Sequence, residues 1–258
     1  LLDIRRRFED VGLIHKFAQE YLNEARDLAN AKFKTDRINY YNHEFHSRDN
    51  YTYIVDKDDA IPINVYIGVD LAYESNSHND YQIIMVVGID SDRNFYVLDY
   101  FREHIPLYDM PLEIFNYAKE FSPVKRVNVE MVGAQGIIKD AVNQMSGKDR
   151  KVAPGIALGV RPPSGIKKED RLESLLAPIV NRGKLFIKRK HVELVDEMFQ
   201  FPKGKNDDAL DGLWYAINNA RPPRSKKFEA AEFLDENSKK MKKTTTKKVI
   251  SWITGLKT

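Results

Sequence analysis

The chain has 258 residues and not one cysteine. Disulfides, thiolate metal sites and a cysteine nucleophile are excluded together. The composition fits a reducing compartment. No apolar run approaches the ~20 residues that a membrane-spanning helix needs. The opening Leu1-Leu2-Asp3-Ile4-Arg5-Arg6-Arg7 lacks the pattern of a signal peptide. It also lacks an initiator Met and opens inside a pattern, which points to a piece of a longer protein. A phosphate-binding G-x-x-x-x-G-K-[ST] loop is missing as well. Ser146-Gly147-Lys148-Asp149 has neither the first glycine nor the hydroxyl residue and reads as a loop, so no ATPase site is expected. There are only six His, with no triad around a nucleophile, and no internal repeat.

What is present starts with charge. The net value of +3 says little, but its distribution is uneven. From Arg221 onward there are 11 Lys or Arg against 4 Asp or Glu, which leaves the rest of the chain mildly acidic. A basic tail, taken as residues 222–258, is expected to be flexible and to meet a polyanion or an acidic partner. Hydrophobic residues make up 42%, enough for a core.

Periodicity predicts a helix over 11–33 and a polar linker over 34–60. A buried strand ends at Gly68-Val69-Asp70, and a polar turn follows at 73–80. Tyr81 to Ile89 and Phe95 to Phe101 read as two more strands, joined by a turn at 90–94. Tight turns make these three an antiparallel meander. Asp80, Asp90 and Asp92 read as solvated turn residues. Strand and helix then alternate: helix 110–121, strand 127–130, helix 135–145, strand 156–160, helix 168–181, strand 185–187, helices 191–199 and 208–220. Such an order predicts an α/β protein. Its mixed sheet of five or more strands, flanked by helices, has the order of the ribonuclease H-like fold.

Three short segments carry the chemistry: Gly68-Val69-Asp70, Asn128-Val129-Glu130 and Asp207-Asp208-Ala209-Leu210-Asp211. In this topology the strands of Asp70 and Glu130 are parallel neighbours, with both residues near their carboxyl ends, where open α/β sheets place ligands. Asp208 and Asp211, three apart at a helix start, share one side. Four carboxylates at one rim cannot all ionise without cations. Oxygen-only ligation selects hard ions, Mg²⁺ or Mn²⁺, and two of them can activate water and clamp a phosphodiester. The expected catalytic and metal-binding set is Asp70, Glu130, Asp208 and Asp211. Asp207 is an alternative to Asp208 as ligand, with Asp208 then serving as helix cap.

Residues 61–221 resemble the nuclease domain of the large terminase subunit of tailed bacteriophages. The likeness rests on Tyr66-Ile67-Gly68-Val69-Asp70, on Val129-Glu130 and, most specifically, on Phe201-Pro202-Lys203-Gly204-Lys205-Asn206-Asp207-Asp208-Ala209-Leu210-Asp211. Lys168-Glu169-Asp170-Arg171-Leu172 and Asn181-Arg182-Gly183-Lys184-Leu185 add to it. Phe17-Ala18-Gln19-Glu20-Tyr21-Leu22-Asn23 resembles the end of the family's ATPase region, so residues 1–60 read as the end of that region plus a linker. Where family members often have His before the Asp pair, this chain has Asn206. The resemblance implies an endonuclease that cuts concatemeric viral DNA during packaging, in the host cytoplasm. The implied partners are double-stranded DNA, the portal protein, the small terminase subunit and the ATPase domain. It also implies that Asp70 bridges the two ions.

Lys167, Lys168, Arg171, Lys203 and Lys205 are the expected contacts to the DNA backbone. Nothing in the sequence points to base readout. A Holliday-junction resolvase or transposase of the same fold would share the carboxylates. A portal-docking module, anchored through the tail and Trp252 and Ile253, is a reading of another class.

Overall fold

The computed structural model describes residues 7–8, 31–48, 51–55, 59–71, 81–131, 136–204, 206–224 and 228–229. The expected helix over 11–33 falls largely outside them, as do the turn at 73–80, Lys205 and nearly all of the tail.

The elements run β1 (Asn39–Tyr40), β2 (Glu44–Arg48), β3 (Tyr51–Val55), β4 (Asp59–Asp70), β5 (Gln82–Ile89), β6 (Phe95–Glu103), α1 (Met110–Glu120), β7 (Val124–Glu130), α2 (Gly136–Ser146), β8 (Ala157–Val160), α3 (Lys168–Asn181), β9 (Leu185–Ile187), α4 (Val192–Gln200), α5 (Asp208–Ile217) and β10 (Phe228–Glu229). β4, β5 and β6 form the antiparallel meander. β7 runs parallel to β4, and β8 parallel to β7. The short β9 extends the sheet beyond β6, and β1 lies beyond β9, both parallel.

The described part of 34–60, expected as a linker, carries strands β1, β2 and β3. Tyr51-Thr52-Tyr53-Ile54-Val55 is a run of aromatic and β-branched residues, the types that fit a pleated sheet. As β3 it pairs antiparallel with β2 and with the first half of β4, and Thr52, Tyr53 and Ile54 are buried. Its polar flanks hide it in the sequence. Asp90 also differs from expectation. It is 1% exposed, and its carboxylate accepts hydrogen bonds from the Asp92 and Asn94 N–H groups, the Asn94 amide and the Tyr96 hydroxyl. It pins the β5–β6 turn from inside.

Helices cover both faces of the sheet. On one, Val65, Ile67, Val69, Ile84 and Val86 pack with Ile114, Ala118 and Val142 of α1 and α2. On the other, Ile83, Met85, Val87 and Val97 pack with Leu172 and Leu176 of α3, Leu194 and Met198 of α4, and Leu213 and Trp214 of α5. Gly68 lets α5 lie directly on β4. A Cβ there would sit 2.2 Å from both the Gly212 carbonyl and the Ala216 nitrogen. Because the strand period is two, Asp70 faces the same side as Gly68, toward α5.

Candidate active site

Asp70 ends β4 and Glu130 ends β7, on parallel neighbours joined in register from Tyr66–Arg126 to Val69–Val129. Asn128 shares the face of Glu130, and its Nδ2 donates to the Tyr215 carbonyl at 2.7 Å, tying β7 to α5. The Tyr215 hydroxyl donates to Glu130 Oε1 at 2.8 Å. Asp70 and Glu130 share a side-chain hydrogen bond, and Asp211 is close enough to act on Asp70 electrostatically. The fold thus brings Asp70, Glu130 and Asp211 together at one rim.

Electrostatics follow from that crowding. Burial first, then the charge of Asp211 and the contact with Glu130, push the Asp70 carboxyl well above the ordinary range. Asp211 is 3% exposed, and burial raises it too, against the pull of Lys168 and Arg171. Two cations offset the acid cluster. Lys168 Nζ bridges Asp207, at 2.7 Å, and Asp211. Burial works against its charge, but the two aspartates more than compensate and raise its pKa. Arg171 Nη2 lies 2.5 Å from Asp211 Oδ1, and its guanidinium stacks 4.5 Å over the Trp214 ring.

The two candidates at the start of α5 part company. Asp207 joins the cluster through Lys168. Asp208 turns the other way, its Oδ2 4.0 Å from Arg102 Nη2, beside Glu197. Asp207, at the N-cap position of α5, makes no side-chain capping bond. Glu197 supplies a cap from α4, accepting the Leu210 N–H at 3.1 Å. Burial pushes the Glu197 carboxyl up to about 8, against the pull of Arg102 and the Leu210 N–H.

Among the expected DNA contacts, Lys167 and Lys203 are exposed and Lys168 reaches into the carboxylates. Arg171 is 6% exposed and engaged with Asp211, so it belongs to the interior of the site and not to its surface. Tyr215, Arg102 and Glu197 escape the sequence reading. Tyr215 carries a signal, lying four residues after Asp211 on one helix face.

Among the described residues, no three His, Asp or Glu side chains stand grouped tightly enough to hold an ion. The donor set nonetheless fits a hard divalent cation. Its groups are carboxylates, and two of them, Asp70 and Glu130, stand within hydrogen-bond reach of each other, a place a cation can take. Among the described residues no helix is long and apolar enough to cross a membrane.

No family model matches the sequence, and none of the curated proteins does. Structure is more informative. The large terminase nuclease of the thermophilic phage G20c, solved with bound zinc, matches with a TM-score of 0.51 at 17% identity, over 74% of this chain and 100% of that one. The chain has the fold of that nuclease. A second structure of the G20c nuclease gives a TM-score of 0.51 at 15% identity, again over 74% and 100%. The architecture is therefore the ribonuclease H-like one expected from the strand order. The nuclease domain of the P22 large terminase gives 0.45 at 15% identity, over 70% of this chain and 86% of that one.

Proposed function

We propose that this chain is a divalent-metal-dependent DNA endonuclease, the nuclease part of a viral packaging motor. The observation that carries the reading is the meeting of Asp70, Glu130 and Asp211 where β4, β7 and α5 converge. Asp207, joined to them through Lys168, completes the acid set. The match to a phage terminase nuclease fold supports the choice of substrate.

In this reading Asp70, Glu130, Asp211 and Asp207 hold Mg²⁺ or Mn²⁺, two ions as the carboxylate count allows. Bound there, the metal supplies an activated water and charge for the leaving oxygen. The chain's own residues do the rest. Tyr215 orients Glu130 by its hydrogen bond. Arg171 holds Asp211 from below and keeps that buried carboxyl from standing unpaired. Lys168 is a cation beside the reacting position and would meet a phosphate bound there. Lys167 and Lys203 lie on the exposed rim, where a DNA backbone would pass.

The full-length partner set follows from the same reading: double-stranded DNA, an ATPase region of the same protein, a small terminase subunit and a portal, in the host cytoplasm. Supercoiled plasmid with Mn²⁺ tests the enzyme claim. Wild type should nick and linearise it, EDTA should stop the reaction, and Asp70→Ala should lower the rate at least ~10³-fold, a loss on the scale of removing a main electrostatic group. A folded Asp70→Ala protein that cuts at the wild-type rate overturns the reading.

A further inference from the structure

The reach of the α5 carboxylates depends on how the first turn of α5 is held. Asp207, at the N-cap position, makes no side-chain capping bond. The first-turn N–H groups of a helix have no partner within it. One of them, on Leu210, donates to Glu197 Oε2 at 3.1 Å, so the cap arrives from a different helix. Glu197 is 6% exposed. Its Oε1 lies 3.4 Å from Arg102 Nη2, and the same guanidinium nitrogen lies 4.0 Å from Asp208 Oδ2. Arg102 is fixed in turn by the Tyr81 ring, 4.2 Å below its guanidinium.

Arg102 reaches this position through an irregularity in β6. Phe95 and Val97 face α3, α4 and α5. Strict alternation would keep odd-numbered residues on that face and send Arg102 to the other. Between Val97 and Asp99 the register with β5 slips by one residue, so Leu98 is extra. Beyond that point Tyr100 bonds Glu193 of α4 while Phe101 packs on the opposite layer. The bulge re-aims Arg102 at α4 and α5.

We propose that Arg102 and Glu197 are positioning residues of the nuclease site: they set the first turn of α5 and so the approach of Asp207 and Asp211 to Asp70 and Glu130. The inference rests on the nuclease reading above. A buried pair of this kind adds little stability, since apolar replacements of similar volume are often neutral or better. What it supplies is geometry, and a misplacement of about 1 Å at a reacting centre can cost about 10²-fold in rate.

The test compares Glu197→Leu, Glu197→Gln and Arg102→Met with wild type in three measurements: melting temperature, Mn²⁺ affinity by calorimetry without DNA, and kcat and KM on plasmid. Glu197→Leu and Arg102→Met each leave a buried partner unpaired, so each alone should lower the melting temperature, and the two combined should return it toward wild type. Singly or combined, they should lose about 10- to 100-fold in kcat with little change in KM, and bind Mn²⁺ about tenfold more weakly, the usual scale for supporting groups around a metal site. Glu197→Gln keeps an acceptor for Leu210 and should restore most of both. Wild-type kcat and Mn²⁺ affinity in the Leu and Met variants would overturn the proposal, as would losses that merely track melting temperature. If Glu197→Leu does not fold, Arg102→Met decides. Failure of the nuclease reading itself shows separately, as full cutting by Asp70→Ala.

Discussion

Asp70 and Asp211 both have carboxyls raised above the ordinary range, chiefly by burial. The stability of their neutral forms is complete below about pH 4, the ordinary carboxylate range, and is lost as pH rises through the elevated folded values. The metal-free protein should therefore melt progressively lower as pH climbs above that range, and Asp70→Asn should flatten the decline. Mn²⁺ binds the ionised forms, so its stabilisation should grow with pH. Calorimetry across pH, with and without Mn²⁺, checks both, and a pH-independent Mn²⁺ shift would contradict the assignment. The neighbouring aspartates give a second comparison. Asp207 is coupled to the cluster and Asp208 to Arg102. Asp207→Asn should weaken Mn²⁺ binding by about tenfold or more, and Asp208→Asn by clearly less. The places of Asp70 and Glu130 at strand ends and of Asp211 in the first turn of a helix are legible in the sequence. Arg171 reads as a DNA-surface residue because its neighbours Lys167 and Lys168 are basic. Its position four residues before Leu175 is the sign that it shares the inner side of α3.

At the scale of elements, the contact between β4 and α5 decides whether the site exists. Gly68 has no room for a side chain against the backbone of Gly212 and Ala216. Gly68→Ala should push α5 off the sheet, cost about 1–3 kcal/mol in urea unfolding, the usual scale of overpacking, and lower cleavage more than it lowers DNA binding. Unchanged stability would mean that α5 does not lie as close as described. Most elements from β4 to α5 are legible in their period and their turns. β2 and β3 are not, because two short strands with mixed partners show no clean alternation; β2 pairs with β3, and β3 in turn with β4. The bulge at Leu98 leaves no sequence mark at all, since it depends on register with β5.

For the whole molecule, the fold follows from strand order, and that order is written in the alternation of apolar runs and turns along the chain. In the proposed reading, function at this scale is the meeting of an acid rim with a polyanion. Binding of duplex DNA in EDTA should fall steeply with salt, with a log–log slope of about −0.9 for each phosphate contacted. Removing Lys167 and Lys203 together should reduce that slope by about 2 and weaken all sequences equally. A salt-insensitive affinity would remove backbone contact from the account.

The central claim is that Asp70, Glu130 and the α5 aspartates share divalent metal. A crystal soaked in Mn²⁺ and measured for anomalous scattering tests it most directly. The account predicts anomalous density in contact with Asp70, Glu130 and Asp211, absent in a crystal of Asp70→Ala. Density elsewhere on the molecule only, or none at a Mn²⁺ concentration that supports cleavage, would contradict it.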